Sequence, residues 1–139
     1  MRTLVFTASE ENLALARESL TMGFTGRLSP NGKSRFGEDG WTNEPQIGDR
    51  AVLYATGVGI LAVVEVTSTL YRSSAQLWPD GLYPYRATFE IIQWFDDPIP
   101  MPHQLLDSAV APRNPRLLTE EEAEGMSRGI GEALLALSA

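Results

Sequence analysis

The sequence predicts an α+β domain, a small curved β-sheet or barrel with flanking helices. Three stretches carry that prediction. The chain opens "TLVFTASEENLALARESL", an apolar run followed by a capped amphipathic segment. Its middle holds "IGDRAVLYATGVGILAVVEVTSTLY", two apolar runs joined by a glycine-bearing turn, and a third apolar run at 83–95 follows a turn rich in aromatic residues. Strands gathered in the middle with helices at the ends imply an α+β layer arrangement.

Residues 3–7 read as the first strand. Ser9 then caps a helix over 9–20: Glu10 and Glu11 suit the positive end of its dipole, and Leu13, Ala16 and Leu20 form one stripe. Residues 21–46 show little periodicity and much Gly, Pro, Ser and Asn, so they read as a long loop, a feature uncommon in a compact domain unless it is functional or partly disordered. Gly48 and Asp49 turn the chain into a strand at 50–55, "TGVG" makes a tight connection, and 60–66 is a nearly continuous β-branched and aliphatic run, as in a strand buried on both faces. The strand at 83–95 is expected to stop at "DDPIPMP", because proline cannot donate to a ladder. Residues 102–109 suggest a short helical piece. Thr119 caps a last helix, 119–137, with three glutamates in its first turn and Ala123, Met126, Ile130, Leu134 and Leu137 at helical spacing.

The whole, residues 1–139, fits one domain, with 139 residues, 43% hydrophobic and 21% charged. No apolar run is long enough to span a bilayer, and no membrane partner is expected. The N-terminus lacks a cleavage site, so a cytoplasmic location is expected. Cysteine is absent and His103 is the single histidine, which leaves no metal site and no thiolate chemistry in view. No serine sits in a nucleophile elbow, and the glycine pairs of "GVG" and "GIG" lack a phosphate-loop frame, so no cofactor is expected. A net charge of −7 argues against DNA or RNA binding by bulk charge alone. It leaves room for a local basic patch, which "GRLSPNGKSRF" offers in Arg27, Lys33 and Arg35; the alternative is a solvated loop.

The chemistry that remains is aromatic. Tyr54, Trp78, Tyr83, Tyr85 and Arg86 could pack the sheet, or could wall a pocket for a flat ligand, since aromatic faces stack on bases. Tyr83 and Tyr85 would share one strand face and Arg86 the other, which a single site could accommodate only with a bulge.

In order and kind, "VFTASEENLALARESLTMGF", "IGDRAVLYATGVGILAVVEVTSTLY" and "LWPDGLYPYRATFEI" resemble the EVE domain, a PUA-like family related to YTH domains. The resemblance covers about 3–95 and leaves 96–139 as a C-terminal extension. It implies a PUA-like barrel with a cage for a modified nucleobase drawn out of DNA or RNA. The base-reading Asn or Asp of the YTH relatives falls on Asn12, which could equally serve the helix cap. The first cage aromatic of the family, a tryptophan, falls on Met22; Phe24 or Trp41 could stand in for it. The reading is therefore a non-catalytic module for a modified base. Two alternatives stand beside it. One is an ASCH-type hydrolase of nucleoside-like substrates using Asp96, Asp97, Glu65 or Glu90, and the other is an interaction domain that forms a homodimer through the C-terminal helix.

Overall fold

A computed structural model describes residues 2–24, 45–100 and 116–138. Its described elements run β1 (Thr3–Ala8), α1 (Glu10–Ser19), β2 (Thr21–Phe24), β3 (Arg50–Ala55), β4 (Gly59–Val66), β5 (Tyr71–Arg72), β6 (Tyr85–Ile99), β7 (Arg116–Leu117) and α2 (Glu120–Ser138). The strands form a single curved, nearly closed mixed sheet in the order β2-β6-β4-β3-β1-β7, with β5 also paired to β6. β1 and β3 run parallel, with α1 and β2 between them in sequence; the other pairings are antiparallel. This is the α+β barrel with flanking helices that the sequence predicts.

Alternation along the strands divides the apolar residues between two cores. Leu4 and Phe6 of β1, Ala51, Leu53 and Ala55 of β3, and Val64 and Val66 of β4 face one core, which Leu13 and Ala16 of α1 close. Val5, Val52, Tyr54 and Ile60 point the other way, into a second core completed by Phe95, Ile99, Leu118 and Met126. Burial on both faces explains why β3 and β4 read as near-continuous apolar runs.

The ends of α1 follow its sequence. Ser9 Oγ accepts from the Asn12 backbone N–H at 3.2 Å, and Leu20 closes the helix in the left-handed region at φ 50°. In α2, Thr119 and Glu122 form a capping box: the Glu122 N–H donates to Thr119 Oγ1 at 3.2 Å and the Thr119 N–H to Glu122 Oε1 at 3.0 Å. Met126 is buried, and Ala123 and Ile130 pack with it on the second core, so this stripe serves the domain's own sheet.

Two elements depart from expectation. β2 lies inside the stretch read as loop; a four-residue strand with a central glycine is too short to show periodicity, and its pairing with 85–88 makes it. β6 runs past the expected stop, through Asp96, Asp97 and Pro98, to Ile99 opposite Ile60. Between Trp94, opposite Ala62, and Ile99, opposite Ile60, the β4–β6 register shifts, so Pro98 falls in an irregularity of the ladder, where a missing N–H is tolerated. Gly59 lets this pairing close: a Cβ there would lie 2.9 Å from the Ile99 carbonyl oxygen, and its φ is +140°. The helical piece expected at 102–109 lies outside the described residues.

Candidate nucleobase pocket

β1 delivers the chain to α1, and β2 returns beside both. Where the three meet, the loop 73–83 folds over the end of the sheet and leaves a pocket of about 190 Å³. Pockets for drug-sized ligands measure roughly 300–1,000 Å³, so this one is smaller than a drug-sized site. Its inner wall is buried: Thr7 of β1, Asn12 of α1, Met22 of β2, and Trp78. Tyr83, Gly23 and Ala8 are half-buried, while Ser9, Thr56 and Asp80 stand exposed at the mouth.

Trp78 ties the loop to the helix by donating its indole N–H to the Asn12 carbonyl oxygen at 3.1 Å. Its ring lies on Gly23, where a Cβ would come within 2.6 Å of the indole and 2.8 Å of Tyr83 Cβ. The glycine of "TMGF" therefore belongs to the pocket as much as to the strand. Tyr83 meets Trp78 edge-to-face, with ring centroids 5.6 Å apart at 83°.

The polar group that organises the mouth is Asp80. Its carboxylate accepts from Asn12 Nδ2 at 3.0 and 3.1 Å and from the Tyr83 hydroxyl at 3.0 Å. Sequence reasoning passed over it, because "WPDG" reads as an ordinary turn and an aspartate in a turn is ordinary too. One signal was present: a carboxylate set between a Trp and a Tyr in a stretch already suspected of holding a ligand. Asn12 turns out to use different atoms for its two expected roles. Its backbone serves the cap and its side chain faces the pocket.

Arg86 builds the loop from beneath. It is 2% exposed, and among the described residues no carboxylate pairs with it. Its guanidinium donates instead to the carbonyl oxygens of Tyr83 at 3.2 Å, Leu82 at 3.0 Å and Ala75, and to Ser73 Oγ at 3.1 Å. It also sits 5.2 Å from the Trp78 ring. Burying a cation is tolerable only when its N–H groups are met this fully. Tyr83, whose carbonyl Arg86 holds, adopts φ 45°, a left-handed conformation unusual for a tyrosine. That kink lies before β6 begins, so Tyr83 escapes the strand's alternation, and no bulge is needed to aim it at the pocket.

Four of the residues expected in the site thus line the cavity: Asn12, Met22, Trp78 and Tyr83. Four others lie elsewhere. Phe24 is core, edge-to-face with Phe6 at 5.1 Å. Tyr54 points into the second core, on the opposite side of the sheet. Tyr85 packs at the margin of the first core with Arg72 over its ring at 5.3 Å. Arg86 is the buried brace just described. Trp41, Arg27, Lys33 and Arg35 lie outside the described residues, as does His103. The carboxylates weighed for hydrolysis are absent from the pocket lining: Asp96 and Asp97 are exposed on β6, and Glu65 pairs with Glu90 across the β4–β6 ladder. Among the described residues no cluster of His, Asp or Glu could hold a metal ion, and no helix is long and apolar enough to cross a membrane.

No protein-family model matches the chain, and no curated protein matches it in sequence. Solved structures do match in fold. The Mmi1 YTH domain superposes with a TM-score of 0.65 at 14% identity, over 96% of this chain and 90% of that one. The Mmi1 YTH domain in complex with RNA gives 0.59 at 14% identity, covering 99% and 80%. A structural-genomics protein from Pseudomonas putida gives 0.58 at 14% identity, covering 91% and 98%. The chain has the YTH/PUA-like fold.

Proposed function

We propose that this protein is a non-catalytic nucleic-acid-binding module that takes one extruded, modified base into the pocket between β1, α1, β2 and the 73–83 loop. The observation that carries the reading is the pocket's construction. A cavity of about 190 Å³ has an aromatic and methionine inner wall and, at its mouth, a hydrogen-bonded Asn12–Asp80–Tyr83 cluster. A flipped base needs those two things, apolar surfaces for its faces and fixed polar groups for its edge. The fold supports the same reading, since a YTH domain that shares it was solved with RNA. RNA is accordingly the favoured strand, and the motif order quoted above resembles that of EVE domains.

In this reading Trp78 and Met22 flank the ring and Tyr83 closes the side. Methionine in place of a third aromatic gives a softer wall that moulds to a substituent on the base. Arg27, Lys33 and Arg35 would meet the phosphates. The test is titration of the purified protein with a panel of modified nucleosides, read by tryptophan fluorescence. A ligand of the pocket quenches Trp78. The quenching persists in Trp94→Phe, whose indole lies elsewhere under Arg17 at 4.5 Å, and disappears in Trp78→Ala, checked for folding by circular dichroism. Loss of one stacking wall should weaken binding by about 1–3 kcal/mol. Indifference to every nucleoside and oligonucleotide tried removes the proposal.

A further inference from the structure

Resting on that reading, we infer that Asp80 and Asn12 select the hydrogen-bonding edge of the ligand. The pocket takes a guanine-type heterocycle, one whose ring N–H and neighbouring exocyclic amino group are both unsubstituted.

An ionised carboxylate offers about four acceptor positions and no donor. In Asp80, Oδ2 receives Asn12 Nδ2 and the Tyr83 hydroxyl, while Oδ1 receives Asn12 Nδ2 alone. One position on Oδ1 is left, on a residue exposed at the pocket mouth and, among the described residues, without a cationic partner. Asn12 shows the complementary shortage. Its amide nitrogen is turned to Asp80, and among the described residues its Oδ1 accepts nothing although the residue is only 7% exposed. Buried carbonyl oxygens in folded proteins almost always have a partner. At this cavity a molecule that enters it can supply the partner.

Two acceptors on side chains joined by a hydrogen bond call for two adjacent donors. Among the common base edges, the guanine Watson–Crick edge presents that pair, a ring N–H beside an amino group. Adenine and cytosine place a bare ring nitrogen beside their amino group and would set lone pair against lone pair. A modification compatible with this site therefore sits on another part of the ring, away from both donors. Tyr83 contributes by fixing Asp80, so it is a positioning residue for the edge as well as a wall.

The experiment is a set of affinities, by calorimetry or fluorescence, for guanosine, inosine (no amino group), 1-methylguanosine (no ring N–H), adenosine and cytidine. Each is measured on the full chain and on Asp80→Asn and Tyr83→Phe. Guanosine should exceed inosine and 1-methylguanosine by roughly tenfold each, in line with one good edge contact. Asp80→Asn should erase that preference, and Tyr83→Phe should reduce it in a protein that keeps both of Asp80's carboxylate oxygens. Equal binding of guanosine and 1-methylguanosine overturns the inference, as does a preference that survives in Asp80→Asn. If another base binds and quenches Trp78 while guanosine does not, the edge assignment fails and the pocket reading stands. If neither these nucleosides nor the modified-nucleoside panel above binds, both fail.

Discussion

The β3–β4 hairpin and the loop 73–83 are held by opposite means. The hairpin is a ladder of apolar residues, with Leu53, Val64 and Val66 in one core and Val52 and Ile60 in the other. Its order comes from burial spread over many side chains. The loop has few apolar anchors besides Trp78, and most of its shape comes from one guanidinium that gathers the carbonyls of Ala75, Leu82 and Tyr83. The hairpin supplies a single pocket residue, Thr56 in its turn, and the loop supplies Trp78, Asp80 and Tyr83. Core burial and pocket lining thus fall largely to different parts of the chain, and the part that lines the pocket is the one shaped by polar contacts.

Substitutions can break that division. The largest loss of stability is expected in the hairpin: Leu53→Ala, at a fully buried position, should cost about 2–5 kcal/mol in denaturant unfolding. Nucleoside affinity of the folded fraction should be unchanged. Arg86→Lys should cost about 2–3 kcal/mol, because an ammonium cannot reproduce a planar fork shared among several carbonyls. Here, unlike in the hairpin variant, affinity should fall in the protein that remains folded, since Trp78, Asp80 and Tyr83 lose their common support. Gly23→Ala should be smaller, about 1–3 kcal/mol for an overpacked contact, and should show as a shifted Trp78 emission as the indole is pushed from its seat 2.6 Å from the new methyl. If Leu53→Ala weakened binding as much as Arg86→Lys does, the two regions would not be separable.

The same contrast explains what could be read from the sequence. Apolar runs with turn glycines are local signals, so β1, α1, β3, β4 and the capped α2 were legible within a residue or two. β2 was not, since "TMGF" becomes a strand only by pairing with 85–88. The extension of β6 through Pro98 depends on a register shift against β4, a property of the sheet and not of the segment. At the pocket, Asn12 and Met22 could be named only from the resemblance to EVE and YTH domains, and Trp78 and Tyr83 because aromatic chemistry marks itself. Phe24 and Tyr54 share that chemistry but are turned into cores by strand alternation. Asp80 escaped notice because its role depends on Asn12, 68 residues away in the chain.

The proposed binding mode has a planar heterocycle enter between Trp78 and Met22 with its edge at Asn12 and Asp80. The most direct measurement is a ¹H–¹⁵N spectrum of the full chain titrated with the best-binding nucleoside, following the Trp78 indole N–H and the Asn12 side-chain amide. Both signals should move together along one saturating isotherm while amides of the β3–β4 strands stay in place. Shifts confined to the sheet or to α2, with those two signals unmoved at saturation, would contradict that binding mode.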